Sequence, residues 1–374
     1  MANTFILPTD VVRDAALVLY DNLMVGNLVN RSIEERFARK VGDSVTVKVP
    51  PNLGTADVLA AGGSTSATDV VESSVDVTLE KHFYKRVDLT SDEMTLEVDD
   101  FNVQVVIPAI NALIRGVENY FIQKIVGGFA RYTSGTAGTE PSTHAHILAA
   151  RKMIKENRGN ISNLIALVSP TSEASFATLD IFTNRDFGED RPMGLREASL
   201  GRVSGMDFFA PVDCGDLDIG DTAGTVLVDG GGTLGDTTLH VDGFTAATGY
   251  VEEGARFTVA GTATVYTVTA RTAIANNEAT LPIYPALTAN EDDDDAVTFQ
   301  TAITEDVVYN PSSVAGALIP GAVMGPNQAA AFVKGLGVRI TSHVDVDTLA
   351  GAWVFDLYAG ARVIKHEFGA IMQG

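Results

Sequence analysis

A long run of apolar residues at helical spacing constrains this chain more than any other feature. The segment 99–129 carries the strongest helical period in the sequence. Its apolar stripe consists of Val103, Val106, Ile107, Ile110, Leu113, Ile114, Val117, Tyr120, Phe121 and Ile125. At about 1.5 Å per residue the segment predicts a rod of roughly 40 Å.

The ends of this helix and one internal proline need interpretation. Asp99 or Asp100 is placed to cap its start, and Gly127 and Gly128 are placed to stop it. Pro108 lacks a backbone N–H, and its ring clashes with the preceding turn. It therefore either kinks a helix already begun or marks where the continuous helix starts.

Two alternating runs flank a polar, glycine-rich stretch. Residues 44–49 and 74–80 each place apolar side chains on one face, which is typical of half-buried strands. The apolar faces consist of Val45, Val47 and Val49 and of Val75, Val77 and Leu79. The pattern predicts a long hairpin. Because an isolated two-stranded ribbon is marginal in water, this hairpin needs a surface to lie on.

The remaining segments predict a mixed α+β body. Helices are expected at 9–40, 142–158, 171–179 and 326–334, with Thr9, Ser142 and Thr171 or Ser172 as caps. Strands are expected at 163–170, 206–210, Val338–Ile340, Val344–Val346, Trp353–Tyr358 and Arg362–Phe368.

Between residues 216 and 302 the helical period disappears. Short strand candidates recur there at roughly 8–12-residue spacing, separated by Gly, Asn and Asp turns. This spacing is typical of a small sandwich or barrel. The pattern therefore indicates a β domain inserted into an α+β domain.

The charge balance disfavours several classes of protein. The 374 residues carry 48 acidic and 26 basic side chains and a net charge of −22. Such a surface repels nucleic acid phosphates and anionic membranes, although Arg31, Arg36, Arg39 and Lys40 form one mildly basic stretch. No signal peptide and no apolar run long enough for a membrane span are expected. Cys214 is the only cysteine, so no intrachain disulfide can form.

Motifs that carry chemistry are not found. The stretch GGGTLG, residues 230–235, fits a dinucleotide-binding spacing but leads into a strand rather than a helix. His144 and His146 diverge if the segment is helical, so they cannot share a metal. We therefore expect no catalytic residue, no metal and no cofactor.

An acidic run at 291–296 leaves three alternatives open: a solvated loop, contact with a basic surface on another subunit, or a calcium site. The glycine and the closing glutamate of an EF-hand loop are missing, which weakens the calcium alternative. The acidic stretch at 213–221 is expected to be the linker into the inserted domain.

The order of these parts resembles the major capsid proteins of tailed phages with the Hong Kong 97-type fold. More narrowly, it resembles the coat-protein family of short-tailed Salmonella phages, whose capsid domain carries an inserted β-barrel. The resemblance rests on VIPAINALIRGVENYFIQKI, NLIALVSPTSEASFATL, GRVSGMDFFAP, EGARFTVAGTATVYTVT, VVYNPSSVAGAL and DLYAGARVIKHEFGAIM.

The resemblance implies an α+β fold divided along the chain. Residues 1–40 would form an N-terminal arm, 41–98 the extended loop hairpin with peripheral strands, 99–158 the spine helix and peripheral domain, 159–215 the first part of the axial domain, 216–302 the inserted β-barrel, and 303–374 the second part of the axial domain with the terminal peripheral strands. In the family the hairpin lies on a neighbouring subunit, which implies that its apolar face is buried only after assembly.

The implied function is that of a non-enzymatic shell subunit. Hexamers and pentamers would close into an icosahedral head around phage DNA, without sequence-specific DNA binding or a membrane. A separate scaffolding protein and a portal protein are implied as partners, with assembly in the host bacterial cytoplasm and residence in the virion. The alternatives are the shell of a cellular encapsulin-like nanocompartment and a calcium-stabilised β-rich binding protein.

Seven charged residues are candidate contacts between subunits. They are Lys48, Lys81, Arg86, Asp292, Asp293, Asp294 and Asp295. The cations lie in or near the predicted hairpin, and the aspartates lie at a turn of the inserted domain. No partner for a covalent lysine cross-link can be identified.

Overall fold

The computed structural model of the 374-residue chain describes residues 8–38, 43–49, 72–90, 101–131, 133, 135, 139–157, 159–179, 200–211, 217–300, 306–344 and 350–374. Several expectations lie outside these residues. They are the connection of the hairpin at 50–71, the caps Asp99 and Asp100, the single cysteine Cys214, and the proposed strand position Val346.

Five helices and twenty strands are defined in the described residues. The helices are α1 Pro8–Asn22, α2 Glu34–Ala38, α3 Ile107–Gly128, α4 His144–Glu156 and α5 Pro170–Ala177. The strands of the body are β1 Ser44–Val49, β2 Ser73–Thr78, β3 Lys81–Thr90, β4 Leu164–Leu167, β5 Arg202–Val203, β6 Met206–Phe209, β15 Val307–Tyr309, β16 Val314–Ile319, β17 Gln328–Val333, β18 Leu336–Val344, β19 Ala350–Val363 and β20 Gly369–Ile371. The strands between them are β7 Gly224–Val228, β8 Thr238–Phe244, β9 Thr248–Val251, β10 Arg256–Val259, β11 Val265–Val268, β12 Thr272–Ala275, β13 Ala279–Tyr284 and β14 Val297–Phe299.

The main sheet is built on β19, a strand of 14 residues. β3 pairs with one edge of β19, whereas β18 and β16 pair with the other edge, one after the other along the strand. β17 continues the sheet beyond β18. One face of the sheet is buried under α1 and α3 and forms the largest core. The sequence pattern split this long strand into Trp353–Tyr358 and Arg362–Phe368, and that division is wrong.

Helix α3 is the central element of this core. A π-helical turn, Asn102–Val106, leads into it without a break, and Pro108 lies just after this turn. The helix has therefore already begun when the chain reaches Pro108, and the change from π- to α-helix takes place beside the proline. The rod 102–128 is apolar and long enough to cross a membrane by composition, but 61% of its apolar window is buried inside the protein.

Helix α1 covers the same face of the sheet over β17 and β18. Its buried side chains include Val12, Ala16 and Leu19. The expectation of one helix over 9–40 is wrong, because α1 ends at Asn22 and a 3₁₀ turn, Val25–Asn27, follows. The carboxylate of Glu118 on α3 accepts the amides of Met24 (2.6 Å) and Val25 (3.3 Å) and so satisfies the backbone at this break.

The base of the predicted hairpin is present as the antiparallel pair β1–β2, with Val45 opposite Val77. These two valines are 3% and 0% exposed. They pack against α2 and β16 of the same chain. The expectation that the apolar face is buried only after assembly is therefore wrong for this part of the hairpin.

A second sheet has the order β20-β15-β4-β6-β5 and packs against α4 and α5. Helix α5 begins earlier than the sequence pattern indicates. Ser169, rather than Thr171 or Ser172, is its N-cap, and its hydroxyl accepts the amide of Ser172 at 3.2 Å.

The helix predicted over 326–334 is wrong, since β17 occupies this segment. The three alanines of QAAAFV favour a helix by propensity, but pairing with β18 over six positions overrides that weak preference. A tight turn joins the two strands, with positive φ at Lys334 (48°) and Gly335 (89°).

Residues 217–300 form a β-structure around their own apolar core. Six strands in the order β14-β10-β11-β13-β8-β7 make the sheet, and β9–β12 form a separate ribbon. The bridge between Leu227 and Ala296 brings the two edge strands together and nearly closes a barrel. The glycine-rich stretch 230–235 leads into β8, as the sequence pattern predicts.

Candidate functional site

The C-terminal end of α3 meets the inserted β-structure, and we call this contact the joint. A Cβ added at Gly127 would lie 2.6 Å from the backbone oxygen of Glu253. A Cβ at Gly254 would collide with the backbone of Gly127, and Gly254 has a φ of +94°. Gly127 and Gly128 therefore serve close packing, since both lie within the helix and neither has a positive φ. The helix ends at Gly128, as expected, but neither glycine adopts the left-handed backbone of a glycine cap.

Polar contacts reinforce the joint on both sides of the glycines. The amide of Asp218, at the entry to the inserted domain, donates to the Gln123 side chain of α3 at 2.8 Å. Arg362 on β19 approaches Glu253 at 3.4 Å. Burial raises the pKa of Glu253, while Arg362 and Lys124 oppose that shift.

A cleft of about 380 Å³ opens beside the joint, between α3, the start of β3 and the inserted domain. Lys124 pairs with Glu80 at 2.8 Å, and Arg271 pairs with Glu252 at 2.8 Å while lying 3.8 Å from the ring centre of Tyr250. Each of these two ion pairs lies within one part of the molecule, Lys124–Glu80 in the body and Arg271–Glu252 in the inserted domain. The polar contacts that join the two parts beside the cleft are those of Gln123 with Asp218 and of Arg362 with Glu253.

A further contact joins the inserted domain to residues of the body. The ring of Tyr284, at the end of β13, lies 5.5 Å from the guanidinium of Arg131 and 5.4 Å from the ring of His366. Burial lowers the pKa of His366, and the charge of Arg131 adds to this effect. An uncharged imidazole is therefore favoured beside the guanidinium.

Asp306 marks the return of the chain from the inserted domain to the body. Its side chain is fully buried and accepts the Ser169 amide and the Ser172 hydroxyl, both at 2.7 Å. Burial raises the pKa of this carboxyl to about 7, although the two serines favour the ionised form. The start of α5 is thus attached to the point of re-entry.

The face of the main sheet that lies away from α1 and α3 carries a charged network. Arg339 binds both carboxylate oxygens of Asp356, at 2.9 and 2.6 Å, and His82 lies 2.7 Å from the same carboxylate. The His82 ring stacks on Tyr358 at 4.1 Å. The hydrogen bonds to Asp356 raise the pKa of Arg339, so this pair stays charged.

The three cations expected at subunit contacts lie on the hairpin and the adjoining strand. Lys48 on β1 pairs with Glu72 at 2.7 Å, and Arg86 on β3 pairs with Asp88 at 2.6 Å; all four side chains are more than half exposed. Lys81 is exposed at the rim of the cleft. Exposed pairs of this kind contribute little to stability, because water and salt screen them.

The four aspartates lie in the turn between β13 and β14, away from those cations along the chain. Asp293 accepts the Gly230 amide at 2.7 Å, and Asp295 accepts the Asp292 amide at 2.7 Å. The backbone of this turn also binds Val228 and so contributes to barrel closure. The carboxylates of Asp293 and Asp295 therefore accept hydrogen bonds within the domain. Asp292 and Asp294 are exposed.

No cluster of metal-binding side chains is found in the part of the chain that the structure describes. His144 and His146 both lie on α4, as predicted, and their rings have different partners. His144 lies 2.9 Å from the Ser204 hydroxyl, and His146 accepts the Ser142 amide at 3.3 Å.

Sequence reasoning missed the joint. The pair Gly127–Gly128 was visible but has an ordinary explanation as a helix stop, and Gly254 lies in an unremarkable turn, EEGAR. The one usable signal is the presence of two glycines inside a strong apolar period, since glycine weakens a helix by about 1 kcal/mol unless a close approach requires it.

We compared the chain with known protein families, curated proteins and solved structures. No protein-family model matches the chain, and no curated protein matches it. A solved structure of Mycobacterium phage Che8 is similar, with a TM-score of 0.50 and 15% identity over 93% of this chain and 90% of that chain. The capsid of cyanophage P-SCSP1u gives 0.48 and 12% over 92% and 85%, and a virus-like particle from Pyrococcus furiosus gives 0.42 and 8% over 96% and 97%.

At these identities the similarity is informative about the fold alone. The chain has the Hong Kong 97-type capsid fold, and the fold expected from the sequence resemblance is confirmed.

We predict that Gly127→Ala destabilises the subunit by about 1–3 kcal/mol, because the new methyl group meets backbone rather than a flexible side chain. Gly116→Ala is the matched control in the same helix, since its Cβ would meet only the Phe83 ring, at 3.3 Å. Urea denaturation of unassembled subunits measures both. Equal losses of stability would contradict the assigned role of Gly127.

We also predict that Asp306 makes stability fall as pH rises from about 4 to about 7. The folded chain keeps a proton there to about pH 7, whereas the unfolded carboxyl loses it near its ordinary pKa of 3.8. Asp306→Asn keeps a neutral acceptor and donor and should remove this slope. Asp207→Asn, at a partly exposed site in the same sheet, should keep it. Melting temperatures against pH that run parallel for wild type and Asp306→Asn would refute the assignment.

Proposed function

We propose that this chain is the major capsid protein of a tailed phage and assembles as hexamers and pentamers into an icosahedral head around double-stranded DNA. The observation that supports this most is the Hong Kong 97-type fold, which extends over nearly the whole chain. The protein acts as a structural subunit and not as an enzyme.

A closed shell is held together by many interfaces of moderate size. Obligate assemblies bury about 2,000–5,000 Å² or more per interface, and each subunit of a shell has several neighbours. A net charge of −22 keeps DNA from adhering to the wall and limits premature association, since the repulsion reaches about 8–10 Å at physiological salt.

The partners follow from this assignment. Copies of the chain itself form the shell, a separate scaffolding protein guides closure, and a portal protein occupies one vertex. DNA is enclosed without sequence-specific binding, and no membrane takes part. Assembly takes place in the host bacterial cytoplasm, and the product resides in the virion.

Negative-stain microscopy of the purified protein tests the proposal. We expect capsomers or closed shells of uniform diameter, with DNA inside when they are recovered from infected cells. A shell that holds an enzyme and no DNA would favour the encapsulin-like nanocompartment. Particles that stay monomeric under all assembly conditions would contradict both.

The seven charged candidates are proposed as contacts between subunits, with Lys48, Lys81 and Arg86 facing the acidic turn Asp292–Asp295 of a neighbour. Asp292→Asn with Asp294→Asn tests this, since both carboxylates are exposed and make no bond that stabilises the turn itself in the described structure. We expect slower shell closure at low salt and little difference at high salt.

The matched control removes the same charge elsewhere on the inserted domain, as Asp242→Asn with Glu278→Gln, at a half-buried and an exposed position that are not neighbours of the acidic turn in the chain. Light scattering follows closure at several salt concentrations. If both double variants close their shells at the same rate as each other, only general charge matters and the acidic turn makes no specific contact.

A further inference from the structure

Strand β17 forms an edge of the main sheet. It pairs with β18 on one side only, and no other strand in the described residues adjoins it. The amide of Ser342 donates to the carbonyl of Asn327, which fixes the alternation of bonds along this pair. Gln328, Ala330 and Phe332 therefore direct their backbone groups away from β18.

Most of these outward-directed backbone amides and carbonyls are available to pair with another strand. The Gln328 amide closes a turn onto the Gly325 carbonyl at 3.2 Å. The Gln328 carbonyl and the amides and carbonyls of Ala330 and Phe332 have no backbone partner within the described chain. An edge of this kind is a template for adding another strand.

The edge also lacks the usual protection against pairing. Natural edge strands are commonly blocked by charge, proline or a bulge, but QAAAFV contains no charged residue and no proline. Residues 307–344 contain no Asp or Glu at all, in a chain that has 48 of them. A second copy of this acidic protein therefore meets the least repulsion here.

Exposed apolar side chains lie beside the same edge. Phe332 is 60% exposed and Met324 is 84% exposed. The Met324 amide donates to the Gln328 side chain at 2.7 Å, so Met324 lies next to Gln328. Side chains this apolar and this exposed are typical of a contact surface.

We propose that β17 pairs antiparallel with β17 of a second copy about a two-fold axis at Ala330. This register puts Ala330 opposite its mate, where two reciprocal backbone bonds can form, and Phe332 opposite Gln328 of the partner, where the Phe332 amide can donate to the Gln328 carbonyl. It also brings Phe332 beside the partner's Met324, twice by symmetry. The interface is isologous and extends the main sheet across two subunits.

The register also keeps charges apart. Lys334 would lie opposite Pro326 of the partner, so the two lysines stand at opposite ends of the paired strands. Arg339 is bound to Asp356 in the same subunit. The inference rests on the proposed function, because it specifies one of the contacts by which copies assemble.

Cysteine cross-linking tests the register. With Cys214→Ser as background, Ala330→Cys places two thiols on hydrogen-bonded, directly opposed residues with Cα atoms about 5.5 Å apart, within disulfide range. Thr341→Cys is the control on β18, where it lies next to Gln328 and one strand in from the edge. Its two copies would be about 20 Å apart, since they are separated by three strand spacings across the sheet and by four residues along it, which is too far for a disulfide.

We expect a covalent dimer from Ala330→Cys after mild oxidation and none from Thr341→Cys, on a non-reducing denaturing gel. Cross-linking of both would mean non-specific association and would overturn the register. Shells that assemble normally while Ala330→Cys gives no dimer would overturn this inference and leave the proposed function standing. Monomers that neither assemble nor cross-link would contradict both.

A charge at the axis provides a second readout that does not depend on oxidation. A330K puts like charges directly opposite each other, so we expect subunit association to weaken by roughly three- to fivefold. T341K adds the same charge to the neighbouring strand and should change association by less than about twofold. Equal association of A330K and wild type, with both folded by circular dichroism, would refute the pairing.

Discussion

The contact of α3 with its surroundings is the constraint on which the rest of the structure depends. Along its length the helix supplies the buried stripe against which the main sheet packs, and Glu118 on the same helix holds the end of α1. At its C-terminal end, Gly127 lets the inserted domain approach to backbone contact. One helix thus contacts the N-terminal helix, the sheet and the inserted domain.

Charge is divided unevenly between the parts that this helix connects. Residues 217–300 contain 13 acidic and two basic side chains, whereas residues 307–344 contain no acid and two basic side chains. Repulsion between copies is therefore expected to be stronger through the inserted domains than through the segment 307–344. In a shell, such a distribution restricts the orientations in which two subunits can approach, and it does so before any short-range contact forms.

Periodic patterns in the sequence predicted the elements whose packing follows local rules. The apolar stripe of α3, the alternation of β1 and β2, and the β texture of the inserted segment all depend on which face is buried. The pattern misled at β17, where alanine propensity was outweighed by pairing with β18, a partner that no local window contains. The role of Gly127 was likewise hidden, because the atom it must avoid belongs to Glu253, which is remote in sequence.

The central claim is that the inserted domain is held on the end of α3, and the amide of Asp218 reports on it most directly. That amide donates to the Gln123 side chain across the joint at 2.8 Å, at an exposed position that water would otherwise reach. Hydrogen–deuterium exchange of the peptide covering 217–220, in the intact unassembled chain, measures its protection. The account predicts slowed exchange at Asp218 that Gln123→Ala abolishes. Exchange at the rate of an open loop in the wild type would contradict a fixed joint.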